Sequence, residues 1–213
     1  MLQPIKRIPF NLVIEAISDC SVLPFDSNSD EDKKVLKTLI EVVNTAGSQI
    51  NREGIKRSRP NEVGNDVELY VKKALNKLGY TSNIPTTASG KKRSVGYPDI
   101  EFTDEFSRIH YLECKTYNIN SISTTLRSFY LSPSEDFKVV HDAIHFAVSY
   151  EIYVSGTQGK NKIYKCRAWK ILSLEALTVD VKYEFQSDNK RLYSKELVLA
   201  EGRFSESEIG AFF

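Results

Sequence analysis

The stretch that most constrains this chain lies in its middle, where "PDIEFT" (98–103) and "RIHYLECK" (108–115) flank the turn-like "DEFS" (104–107). Two alternating runs separated by four such residues predict an antiparallel hairpin. Pro98 stands at the opening of the first strand, where a missing N–H does least harm. In this register Asp99 lies opposite Leu112 or Glu113. Alternation puts Tyr111, Glu113 and Lys115 on one face and Leu112 and Cys114 on the other. Leu112 and Cys114 then belong to a core. Asp99, Glu113 and Lys115 converge on the opposite side.

Two carboxylates this close repel each other unless one is protonated or a cation bridges them. Hard oxygen ligands with open positions suit Mg²⁺, which keeps waters and binds a substrate phosphate. A lysine beside such an ion can orient or deprotonate an attacking water, or balance charge on the phosphate. The chemistry this describes is phosphodiester hydrolysis. The competing reading is a surface ion-pair ladder, which antiparallel pairs often carry at little energetic consequence. Glu101 shares the face of Asp99 and is either a further ligand or a solvated neighbour.

The 213 residues are enough for one large domain or a domain with an appendage. Helices are predicted over 10–19 and about 30–46. The second has Ser29 as N-cap, acidic residues 30–32 in its first turn and Gly47 as its end. The polar segment 47–63 reads as a linker, which makes 1–60 a helical appendage and 61–213 the main fold. A third amphipathic helix, 65–78, carries Val67, Val71, Ala74 and Leu78 on one face and stops at Gly79. Glu68 falls at the edge of that buried stripe, either as an exposed helix glutamate or looking towards the hairpin's charged face. "YTSNI" reads as a strand. The pattern predicts a helix over 135–148, strands at "YEIYVSG" and "NKIYKCRAWKIL", a short helix at "SLEALTV" and a late strand at "VKYEFQ". The fold class is therefore α/β, a mixed central sheet flanked by helices, with an N-terminal helical appendage.

A net charge of +1 does not point to a protein that binds nucleic acid by phosphate neutralisation alone. Basic segments are nevertheless concentrated at 52–60, 90–96, 159–167 and 189–191. No apolar run reaches membrane-spanning length, and Pro, Glu and Asp interrupt the N-terminal segment where an export signal would need an apolar stretch. Cys20, Cys114 and Cys166 are widely spaced, which argues for a reducing compartment and a cytoplasmic protein. "HDAIH" (141–145) imitates a zinc-hydrolase helix but lacks the Glu and a third histidine, so a helix-face pair near DNA or a subunit contact is preferred. Trp169, with Ile171 and Leu174, reads as core rather than as a stacking platform.

On these residues, "PDIEF…YLECK" resembles the PD-(D/E)XK nuclease superfamily, with Pro98-Asp99 and Glu113-Cys114-Lys115 in the motif positions. The resemblance implies a restriction-endonuclease-like core, a mixed four-stranded sheet flanked by helices, and Mg²⁺ as cofactor, with Mn²⁺ able to substitute. The family's element order fits residues 65–154. By its pattern Asp99 and Glu113 hold metal, the Cys114 carbonyl assists, and Lys115 acts on the water. Many members carry Gly-x-x-x-Glu on the preceding helix, and "GNDVE" supplies Gly64 and Glu68 as a further catalytic candidate.

Within the superfamily the chain looks most like a type II restriction endonuclease. Its polar run after the lysine offers Thr116, Asn118, Asn120, Ser123 and Arg127 as DNA contacts, and the basic loop before the hairpin offers Lys92 and Arg93. Double-stranded DNA with a palindromic site, cut by a homodimer, is the implied substrate and assembly. A Holliday-junction resolvase would share every catalytic residue, but the extra helices and long C-terminal part favour the larger enzyme. A non-catalytic DNA-binding protein on the same fold is disfavoured by the intact Asp99, Glu113 and Lys115 set.

Overall fold

A computed structural model of the protein describes residues 5–93, 95–118, 120, 129, 131–134 and 136–181. Arg7–Val179 is one compact unit; Met1–Lys6 and Asp180–Phe213 form another, in which Val181 N–H donates to the Ile5 carbonyl at 2.8 Å. The larger unit carries the hairpin.

Its helices are α1 (Phe10–Ser18), α2 (Asp30–Glu53) and α3 (Val63–Lys77). Ser29 caps α2 as expected, its side chain accepting from Asp32 N–H, with Asp30, Glu31 and Asp32 in the first turn. Gly47 does not end this helix. Apolar positions continue on the same face to Ile50, and the chain leaves only at Gly54, whose φ of 71° suits glycine. Gly47 instead permits close packing, because a Cβ there would sit 3.2 Å from the Tyr150 ring. Tyr150 is locked in place by donating its hydroxyl to the Val43 carbonyl of the same helix at 2.8 Å.

The strands are β1 (Ile8–Pro9), β2 (Ile55–Arg57), β3 (Thr81–Asn83), β4 (Ile100–Thr103), β5 (Ile109–Tyr117), β6 (Ile144–Gln158), β7 (Asn161–Ser173) and β8 (Thr178–Val179). Six form a sheet in the order β2-β7-β6-β5-β4-β3. The β5–β6 pair is parallel and the other pairs are antiparallel, so the expected mixed sheet flanked by helices is present. Strands β1 and β8 make a separate two-stranded pair. The segment expected as a linker thus contains the last turns of α2 and an edge strand. Val35, Leu39, Val42, Val43, Ala46 and Ile50 of α2 share one core with α3 and with Leu112, Cys114, Phe146 and Val148 of the sheet. The N-terminal helical segment is therefore built into the fold that holds the hairpin.

A second core covers the other sheet face, where Phe10 and Ile14 of α1 meet Tyr97, Tyr111, Phe137, Val139 and Ala147. Burial on both faces explains the main misreading. Residues 144–152 are buried without interruption, and a doubly covered strand shows no period-two alternation. The spacing of Phe137, Val140, Ile144 and Val148 mimicked a helix over 135–148. Ile144 onward is strand β6, and among the described residues 136–143 no helix forms. The two histidines of "HDAIH" consequently do not share a helix face: His141 is exposed ahead of the strand, and His145 is fully buried within it. "SLEALTV" is likewise a turn, closed by Leu177 N–H to the Leu174 carbonyl at 3.0 Å, and then strand β8. The strand expected at "VKYEFQ" lies outside the described residues beyond Val181.

Candidate active site

Register across the hairpin pairs Ile100 with Leu112, which sets Asp99 across from Glu113. Leu112 and Cys114 point into the α2–α3 core, and Tyr111 into the opposite one, as alternation requires. Asp99 is half-buried, and its Oδ2 accepts the Cys114 backbone N–H at 2.8 Å. Glu113 is only 4% exposed. Lys115 Nζ donates to Glu113 Oε1 at 2.5 Å and sits 5.6 Å from the centre of the Phe129 ring. The other carboxylate oxygen, Glu113 Oε2, is buried with no hydrogen-bond partner among the described residues. A surface ion-pair ladder has no such oxygen, since its members are solvated.

The electrostatics follow from burial. Desolvation, then the neighbouring Asp99 charge, pushes the Glu113 carboxyl up to about 7, with Lys115 opposing both. Burial also raises Asp99, partly offset by the Cys114 N–H and by Lys115. Glu68, half-buried on α3, is raised first by burial and then by the Asp99 charge. Glu101 is half-buried opposite Tyr111, and burial raises its carboxyl. The Cys114 thiol faces the α2–α3 core, where burial pushes it well above its usual range and makes it inert as a nucleophile.

Of the expected DNA contacts, Lys92 and Arg93 are exposed on the loop before the hairpin. That loop is tied to the segment after β5 by Ser89 N–H and hydroxyl bonds to Asp136 at 3.0 and 2.7 Å. Arg93 Nη2 also lies 3.9 Å from Asp136. Thr116 is half-buried at the end of β5, while Asn118 and Asn120 are exposed. Ser123 and Arg127 fall outside the described residues.

Two further side chains near the carboxylates were not singled out from sequence, Lys138 and Tyr97. Lys138 is 3% exposed, and its charge interacts with Asp99, Glu113 and Glu68. Tyr97, immediately before Pro98-Asp99, is buried, and its hydroxyl lies 2.6 Å from His145 Nδ1. Burial drives His145 down to about 3, so it is neutral. Adjacency to the motif could have flagged Tyr97. Nothing in "DFKVVHDAIH" marks Lys138, whose place depends on a loop returning to the sheet.

No three His, Cys, Asp or Glu side chains form a ready-made metal cage among the described residues. Two converging carboxylates, one with an orphaned oxygen, nevertheless fit a hard divalent cation that retains most of its waters.

Residues 4–196 match the family of the type II restriction enzyme MjaV. The type II restriction enzyme MjaV of Methanocaldococcus jannaschii is 38% identical over 216 residues, covering 94% of this chain and 91% of the relative. This chain belongs to the MjaV family of type II restriction enzymes. No solved structure matches it. The hairpin described above lies well inside the matched span of the restriction enzyme. Among its described residues no helix is long and apolar enough to cross a membrane.

Proposed function

We infer that this restriction enzyme is a PD-(D/E)XK nuclease that hydrolyses phosphodiester bonds of double-stranded DNA at a specific site in the presence of Mg²⁺ or Mn²⁺. One observation carries the reading: Asp99 is aimed by the Cys114 N–H across the hairpin from Glu113, whose buried Oε2 has no hydrogen-bond partner among the described residues. A proton or a cation between the two carboxyls would satisfy that oxygen. Asp99 and Glu113 are the residues that would hold the metal, with the Cys114 carbonyl as a further oxygen. When bound, the ion supplies a Lewis acid for the phosphate and a more acidic water.

The protein's own part is positional. The Cys114 N–H fixes the Asp99 carboxylate. Lys115, restrained by Glu113 and the Phe129 ring, orients the attacking water and balances charge on the phosphate. Glu68 adds a third carboxylate from α3, acting directly or through a bound water. Lys92, Arg93, Thr116, Asn118 and Asn120 are the candidate contacts to DNA, and Ser123 and Arg127 extend that set. A homodimer would present two such sites to a palindrome, one for each strand.

The decisive experiment digests DNA with purified protein in Mg²⁺, Ca²⁺ or excess chelator and sequences the ends. Cutting at one recurring sequence in Mg²⁺, binding with little cutting in Ca²⁺, and no cutting in chelator is the expected result. Undiminished cutting in chelator, or cutting by Asp99→Ala, refutes the mechanism.

A further inference from the structure

The β6–β7 hairpin takes no part in the site described above, yet its charge is one-sided. From Ile152 to Leu174 the chain carries Lys160, Lys162, Lys165, Arg167 and Lys170, and no Asp or Glu. A solvated strand face ordinarily mixes both signs. Register shows where these cations lie. Lys115 pairs with Ser149, and Ser149 pairs with Lys170, so the three share one side of the sheet. It is the side on which Tyr111 and Ala147 meet α1. Further along, Tyr117 pairs with Glu151, and Tyr153 pairs with Lys165 beyond a bulge. Tyr164 and Cys166 turn into the α2–α3 core, which leaves Lys165 on the Lys115 side.

Arg167 is the extra residue of that bulge, and its contacts turn it to the same side. Its Nη1 lies 3.6 Å from Glu151 Oε1, and its guanidinium carbon is 5.1 Å from the centre of the Tyr153 ring. Glu151 is buried, while 61% of the Arg167 side chain remains exposed. The guanidinium is thus restrained from below and open above. Lysines that merely blunt a sheet edge need no such restraint.

These positions form a strip that starts at the reaction site. At about 4.8 Å per strand, Lys170 is roughly 10 Å from Lys115 across the sheet. Lys165, beside Tyr153, lies further along the strands and is roughly 16 Å from Lys115 at ~3.3 Å per residue. That distance is the rise of about five base pairs of duplex.

We propose that Lys165, Arg167 and Lys170 form a phosphate-binding strip that holds the backbone of the substrate duplex beside the scissile bond, with Glu151 and Tyr153 restraining Arg167. The proposal rests on duplex DNA being the substrate at Asp99, Glu113 and Lys115. Charge complementarity and continuity with Lys115 select this occupant. Such contacts fix the orientation of the duplex and carry no sequence information. A net charge of +1 is no obstacle, because the cations are gathered on one face.

The test compares two full-length triple variants of equal net charge. One carries Lys165→Gln, Arg167→Gln and Lys170→Gln. The control carries Lys33→Gln, Lys34→Gln and Lys37→Gln on α2, which packs on the opposite face of the sheet. Binding is followed by fluorescence anisotropy in Ca²⁺ over a range of salt concentrations. The probe is a duplex of about 30 base pairs carrying the sequence recovered from the cut ends, long enough to span the whole strip. The strip variant should bind at least about tenfold more weakly at low salt. Its slope of log affinity against log salt should be shallower by about 2.7, three contacts at ~0.9 each, while the control keeps the wild-type slope.

A strip variant with the wild-type slope overturns the proposal, and so does a control that loses as much slope as the strip variant. Should the triple variant fail to fold, the three single variants carry the test, each expected to lower the slope by about 0.9. A wild-type protein that neither cuts nor binds duplex DNA refutes the reading of the site and the strip together. Wild-type binding with an unchanged slope in the variant refutes the strip alone.

Discussion

Glu113→Gln should stabilise the metal-free enzyme while abolishing cleavage. The wild-type carboxyl is 4% exposed, faces Asp99, and titrates at about 7. Its unfolded-state value is near the model-peptide value of about 4.3. A folded pKa above the unfolded one means that this group's stability is fully present below about pH 4.3 and is lost as pH rises through about 7. At pH 8.5 the loss is complete, on the order of 3–4 kcal/mol at ~1.36 kcal/mol per pH unit. Glutamine retains the shape, carries no charge, and can donate a hydrogen bond towards Asp99. Lys115 loses its ion pair, which reduces the gain to roughly 2 kcal/mol. Denaturant unfolding in excess chelator at pH 8.5 and at pH 5 measures both sides of the argument. The variant should be more stable at pH 8.5, and the difference should shrink towards pH 5, where wild-type Glu113 is protonated. A variant no more stable at pH 8.5, or a gain independent of pH, would show that Glu113 is not held under this strain. Activity and stability would then be opposed at one side chain, as at other sites that keep charge out of water.

Two other predictions concern the faces of the sheet. Cys114→Ser puts a hydroxyl into the α2–α3 core beside Leu112 and Val148, so it should cost about 1–3 kcal/mol of stability and leave single-turnover cleavage by the folded protein intact; a stable variant that cannot cut would reverse the assignment of faces. His145, held at about 3 by burial, takes up its proton only in the unfolded chain between about pH 6.5 and 3, so its stabilising contribution is full above that window and falls by about 2 kcal/mol at pH 5. His145→Gln should remove that share of the acid sensitivity, and an unchanged dependence of unfolding free energy between pH 7 and 5 would count against it.

Local chemistry was enough for several elements. Ser29 and its acidic successors start α2, the spacing of Val67, Val71 and Ala74 defines α3, and the alternation around "DEFS" sets the hairpin with Asp99, Glu113 and Lys115 on one side. These are short-range matters of capping, periodicity and register, and they are written in neighbouring residues. The run from Ile144 was not legible in that way, because a strand covered on both faces repeats at neither two nor 3.6 residues. Gly47 read as a helix end for a similar reason: its role depends on Tyr150, more than a hundred residues away. Lys138 has no local signature at all. Only the closing of the chain covers the hairpin and the loop after β5, and only there does burial raise the Asp99 and Glu113 carboxyls above their usual range.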